Sequence, residues 1–92
     1  MKNDLEFLMK NDGRIVFERI NFNDSTNYSM VVSVTSNKER HSIRDSIYEA
    51  ELNHVKDLNL LISHHLNSSI SRLKKKILDD IIYKISAENT AS

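Results

Sequence analysis

Arg72-Leu73-Lys74-Lys75-Lys76 is the one dense basic cluster in the chain. Four cations along a helix are what contact with a phosphate backbone requires, so Arg72, Lys74, Lys75 and Lys76 are candidates for binding nucleic acid. Lys38, Arg40 and Arg44 would add charge if they folded nearby. The same cluster also reads as a solvated helix face, with Lys75–Asp79 and Lys76–Asp80 at i,i+4 spacing in the less favourable order. Only Tyr48 and Tyr83 could stack bases on the helical segment, which is a poor platform for single strands.

Histidine supplies the next candidates: His41, His54, His64 and His65. Glu51 and His54 form a Glu-x-x-His pair, the spacing used in carboxylate metal sites of four-helix bundles. Such a site needs further carboxylates from facing helices, and no second copy of the motif occurs. Exposed helix histidines are the simpler account, and a pH-sensitive interface through His64 and His65 is a further reading of the same residues. The absence of cysteine excludes disulfides and thiolate metal sites. No glycine-framed nucleophile and no glycine-rich phosphate loop is present. No enzymatic activity, metal or cofactor is therefore expected.

The elements that would hold these groups are those of one small α+β domain spanning 1–92. At 92 residues, a monomer buries roughly 60–65% of its unfolded surface and is marginal. Thirteen basic and 13 acidic residues leave no net charge, so no global field steers the chain to a polyanion. A single glycine and no proline imply few, long elements. No stretch is apolar enough to span a bilayer, and the first residues do not resemble a secretory signal, so the expected setting is cytoplasmic with no membrane. Abundant Asn, Ile, Lys and Ser suit an AT-rich gene, as in some bacteria and their phages.

Residues 1–12 are expected to form a short helix, capped by Asn3 with Glu6 three residues on and closed by Gly13 in a left-handed turn. Residues 14–35 read as an antiparallel β-hairpin, with strands over 14–22 and 28–35 joined by the turn formers Asn23 to Asn27. Facing Phe22 with Tyr28 places Val16, Ile20, Phe22, Met30, Val32 and Val34 on one apolar face. Glu18 falls in the middle of that face, with Arg44 as its natural partner, unless a bulge turns it outwards. Ile15, Phe17 and Val31 fall on the opposite face. They are candidates for binding a partner, or for cover by the first helix. Two strands alone are unstable and leave open edges, which a homodimer or another protein's strand would close.

Residues 38–86 read as a long helical segment, with 87–92 a frayed tail. Ser36, with Glu39 three residues on, is a candidate cap. From Tyr48 to Ile85 apolar residues recur every three or four positions, averaging about 3.7, which disfavours a simple two-stranded coiled coil. Asn67-Ser68-Ser69 could break the segment into a helical hairpin, or the helix could continue or kink through it. Beyond Lys76 the apolar residues widen to two sides of the helix. Ile70, Leu73, Ile77, Leu78, Ile81, Ile82 and Ile85 are accordingly the expected oligomer interface, most simply of a dimer.

These features favour a small non-enzymatic interaction protein. It would be a homo-oligomeric regulator or inhibitor, of the kind phages encode as accessory factors, occupying a surface of another macromolecule. The alternative is a regulator that binds nucleic acid through Arg72–Lys76.

Overall fold

The computed structural model describes residues 2–91 and has the α+β architecture expected. Its elements are α1 (Lys2–Lys10), β1 (Arg14–Phe22), β2 (Ser25–Ser36), β3 (Glu39–Ile47), α2 (Glu49–His54) and α3 (Leu58–Ala91). Met1 and Ser92, the ends of the expected first helix and tail, lie outside the described residues. The strands form one antiparallel sheet in the order β1-β2-β3, with α3 across β3 and β2 on one face.

Turn chemistry sets the register. Asn23 and Asp24 both take positive φ, 48° and 63°, so a two-residue turn joins β1 to β2 and Phe22 pairs with Ser25. Asn and Asp tolerate that left-handed backbone, and such a turn matches strand twist better than the five-residue connection expected above. Ile20 therefore faces Asn27, and Phe17 faces Met30. The shift is by three residues, and an odd shift inverts the strand. Ile15 and Phe17 point to the helical side, while Val16, Glu18, Ile20 and Phe22 point away from it.

The second turn overturns the expected helix over 38–47. Asn37 and Lys38 take φ of 52° and 67°, and Ser36 pairs with Glu39 across the turn. The spacing that resembles a helix cap is here the closing pair of a hairpin. β3 turns His41, Ile43, Asp45 and Ile47 towards the helices. Two of the four are polar, which hides the alternation of a strand.

One core holds the layers together. It contains Leu8 of α1, Met30, Val32 and Val34 of β2, and Leu66, Ile70, Leu73 and Ile77 of α3. Phe7, Ile43 and Ile81 pack against it. Ile70, Leu73 and Ile77 thus lie inside this chain's own core and have no side chain left to offer another subunit. Leu78, Ile82 and Ile85 are exposed.

The helical segment breaks at 55–57 rather than at Asn67–Ser69. Val55 is extended (φ −90°, ψ 140°), and Leu60 donates its N–H to Asp57 Oδ1 at 3.2 Å, which caps α3. α3 continues through Asn67–Ser69 because Leu66, Ser69 and Ile70 are packed in the interior, and burial overrides weak propensity. It also includes 87–91, expected as a tail. Its 34 residues give a rod of about 51 Å, which sets the long axis of a molecule measuring 56 × 31 × 18 Å.

At the end of α1 the left-handed residue is Asp12 (φ 51°), not Gly13. Gly13 donates its N–H to Leu8 O at 2.7 Å, the wide bond of a Schellman cap. A Cβ on Gly13 would stand 2.7 Å from Leu8 Cβ and 2.8 Å from Leu8 Cα, and the latter cannot swing aside. Gly13→Ala is expected to lower stability by about 1–3 kcal/mol, read as the midpoint of urea unfolding. An unchanged midpoint would mean that the cap relaxes freely.

Candidate functional site

The largest departure from a closed fold is at β1. All nine of its residues are exposed, among them Phe22 at 69%, Val16 at 51% and Phe17 at 50%. The cause is geometric: α3 lies over β3 and β2, so β1 projects beyond the helical layer as an edge strand. Phe17 meets Tyr28 and Ile47 as the floor of an open groove of about 490 Å³. Leu52 of α2 and Leu58, Leu61 and Ile62 of α3 form its walls. Among the described residues no charged side chain lines it.

Of the three partner-binding candidates, Phe17 lies in this groove and Ile15 lies beside it on the same face. Both are exposed on the helical side rather than the outer side. Val31 is half-buried on the outer face, opposite Val16.

A polar clamp fixes the groove wall. His65 Nδ1 lies 2.7 Å from Asp45 Oδ2 and His65 Nε2 lies 2.7 Å from Glu51 Oε2, so β3, α2 and α3 meet on one imidazole. Burial acts to lower the His65 pKa. Hydrogen bonds to Asp45 and Glu51, together with their charges, outweigh it, and the pKa is raised above 6.5. Both ring nitrogens then donate, as only the imidazolium can. Arg72 adds a second cation 3.7 Å from Asp45, and the His64 ring stands edge-on to His65 at 6.0 Å. Glu49 N–H donates to Asn27 Oδ1 at 2.9 Å, holding the start of α2 to the sheet. The clamp is structural: both ring nitrogens of His65 are taken up by carboxylates of this chain.

The basic cluster is divided among intramolecular partners. Arg72 pairs with Asp45, and Lys76 donates to Ser42 O at 3.2 Å. Lys74 lies 3.9 Å from Asp4 and 4.9 Å above the Phe7 ring. Lys75 is exposed. Glu18 meets Arg44 at 3.5 Å as its sequence position suggested, but on the outer, exposed face.

Glu39, His41 and Asp80 converge closely enough to hold a cation. The cation there is Lys84, whose Nζ lies 2.7 Å from Glu39 Oε1 and 3.2 Å from Asp80 Oδ2. Hydrogen bonds to those two carboxylates raise its pKa. Glu51 serves the clamp, and His54 is exposed at the end of α2, so the two do not converge on a metal-like site.

No family model, curated protein or solved structure matches this chain. Function must be read from the surface itself. Among the described residues no helix is long and apolar enough to cross a membrane.

Proposed function

We propose that this chain is a non-enzymatic interaction protein, a regulator or inhibitor that acts by seating an apolar segment of a protein partner in the groove beside β1. The observation that carries this reading is the lining: Phe17, Tyr28, Ile47, Leu52, Leu58, Leu61 and Ile62 surround an open concavity without a charge among them. An apolar recess of this size favours a partner that inserts aliphatic or aromatic side chains, as an amphipathic helix does. The His65 clamp supports the reading by fixing α2 and α3, so the walls are preorganised rather than formed on binding.

The nucleic-acid alternative draws less support, because Arg72, Lys74 and Lys76 are already engaged with groups of their own chain. Capture from a lysate of the source cell separates the two readings. A protein retained by the wild type, lost with Leu61→Asp and kept by Lys74→Glu/Lys75→Glu/Lys76→Glu is the expected result. Salt-sensitive retention of DNA or RNA, abolished by the glutamate triple variant and indifferent to Leu61→Asp, would replace this reading with the alternative.

A further inference from the structure

The two edges of the sheet are finished differently. On β3 the two-residue turn at Asn37-Lys38 directs the main-chain groups of Arg40, Ser42, Arg44 and Ser46 outwards, away from β2. Lys76 Nζ caps the carbonyl of Ser42 at 3.2 Å, and Asp45 Oδ1 accepts from the N–H of Ser46 at 3.0 Å. Two arginines stand on the same edge. Two main-chain groups of that edge are thus occupied, and charged side chains flank it, which are among the ways proteins hinder another strand.

On β1 the turn at Asn23-Asp24 commits the main-chain groups of Arg14, Val16, Glu18, Ile20 and Phe22 to β2. Those of Ile15, Phe17, Arg19 and Asn21 point outwards. Among the described residues, none of these outward groups has a hydrogen-bond partner. The strand is nine residues long, without proline or bulge, and bears large exposed apolar side chains on both faces. Among the described residues nothing caps this edge.

We propose that the free edge of β1 is a dimerisation edge, at which a second copy of this chain pairs β1 with β1 antiparallel about a twofold axis. Two three-stranded sheets then become one sheet of six strands. The parity of the strand permits this. A twofold axis normal to the sheet sets odd residues against odd residues, and the odd residues are the ones whose main-chain groups point outwards. Both helical layers end on the same side, with the two grooves flanking the axis.

One register overlaps all nine residues, with the axis at Glu18. Val16 then faces the partner's Ile20 on the outer side, and Phe17 faces the partner's Arg19 on the inner side. Arg14 faces the partner's Phe22. The two Glu18 carboxylates approach at the axis, but each is held by its own Arg44 at 3.5 Å, so the charges form a balanced Arg–Glu–Glu–Arg row. Moving the axis to Arg19 sets two guanidinium groups against each other without a carboxylate between them. Moving it to Phe17 leaves Asn21 and Phe22 unpaired. Self-pairing of this strand therefore matches aromatic to cation and aliphatic to aliphatic, which commits the edge to a second copy over a foreign strand.

Light scattering on a sizing column, with the full chain at about 100 μM, tests the proposal. The wild type is expected at twice its 10.7 kDa mass. Arg19→Pro removes one outward N–H and spares the ladder to β2, so this variant is expected at 10.7 kDa with an unchanged circular dichroism spectrum. If Arg19→Pro fails to fold, Val16→Lys/Ile20→Lys, both on the exposed outer face, takes its place with the same expected mass. Glu18→Cys provides a second readout. The chain has no other cysteine, so a mild thiol oxidant should join two copies by a disulfide at the axis.

A wild type of monomeric mass overturns the proposal. So does a folded Arg19→Pro or Val16→Lys/Ile20→Lys variant that keeps the dimeric mass, or a dimer lost with Ile82→Asp and kept by both. Val16 and Ile20 lie on the outer face and do not line the groove, so with Val16→Lys/Ile20→Lys loss of the dimer and loss of a groove-bound partner are read separately.

Discussion

Replacing His65 with leucine is expected to cost the fold about 2–3 kcal/mol and to remove a pH dependence that the wild type carries. The imidazole bridges Asp45 and Glu51, and without it two carboxylates share a half-buried site, with Arg72 3.7 Å from Asp45. Breaking a fully buried ion pair costs about 3–5 kcal/mol, and the figure here is lower because water screens the part of Glu51 that remains exposed. The sign of the pH effect follows from proton counting. The folded state holds the His65 proton more tightly than the unfolded state does, so the native chain binds more protons at pH values between the two pKa values. The stabilisation is complete below pH 6.5 and is lost as pH rises through the higher, folded-state pKa. Urea unfolding of the wild type across neutral and mildly alkaline pH should therefore show falling stability. His65→Leu should show a flatter profile over that range. Parallel profiles would mean that His65 is not the group that links pH to folding.

The second large effect is in α3, and it separates residues of similar chemistry that play different parts. Ile70→Asp is expected to abolish folding. Ile70 is completely buried among apolar side chains, and an unpaired carboxylate there costs several kcal/mol in either protonation state. A chain of 92 residues has only about 5–14 kcal/mol of stability in total. Ile82→Asp, at an exposed position on the same helix, should change stability by no more than about 0.5 kcal/mol. Far-UV circular dichroism and urea titration of the pair check both statements. A native spectrum for Ile70→Asp would show that the core is misassigned.

The contrast between these two isoleucines marks how far the sequence could be read. The spacing of Leu66, Ile70, Leu73 and Ile77 correctly identifies one buried helix face. It does not say what buries that face, and for Ile70, Leu73 and Ile77 a sheet of the same chain takes the place of the expected second subunit. The strands of the first hairpin follow from β-branched and aromatic residues. Their register depends on Asn23-Asp24, where a two-residue turn and a five-residue turn satisfy the same composition and differ by an inversion of β1. Phe17 was thus legible as an exposed apolar residue but was placed on the wrong face.

β3 was illegible for a different reason. His41 and Asp45 occupy inward positions normally held by apolar side chains, and His65, the partner of Asp45, is brought to it only by the fold. The groove was hidden likewise, since Leu52, Leu58 and Leu61 become neighbours of Phe17 only once the chain breaks at 55–57. That break has no glycine or proline to announce it; Asp57, as a cap, was its one signal.

The unequal treatment of the sheet's two edges also bears on how the chain fares at high concentration. A strand that can pair at both edges is a monomer for linear polymerisation, and each addition regenerates a site for the next. Here Lys76 and Asp45 occupy main-chain groups on one edge, so under the proposed β1 pairing the chain would be a monofunctional unit. Joining at β1 would consume the free edge of each copy and leave a product whose outer edges are the hindered β3 strands. Growth would then terminate at its first step. The lysine that composition alone nominates for phosphate contact is thereby better understood as a chain stopper.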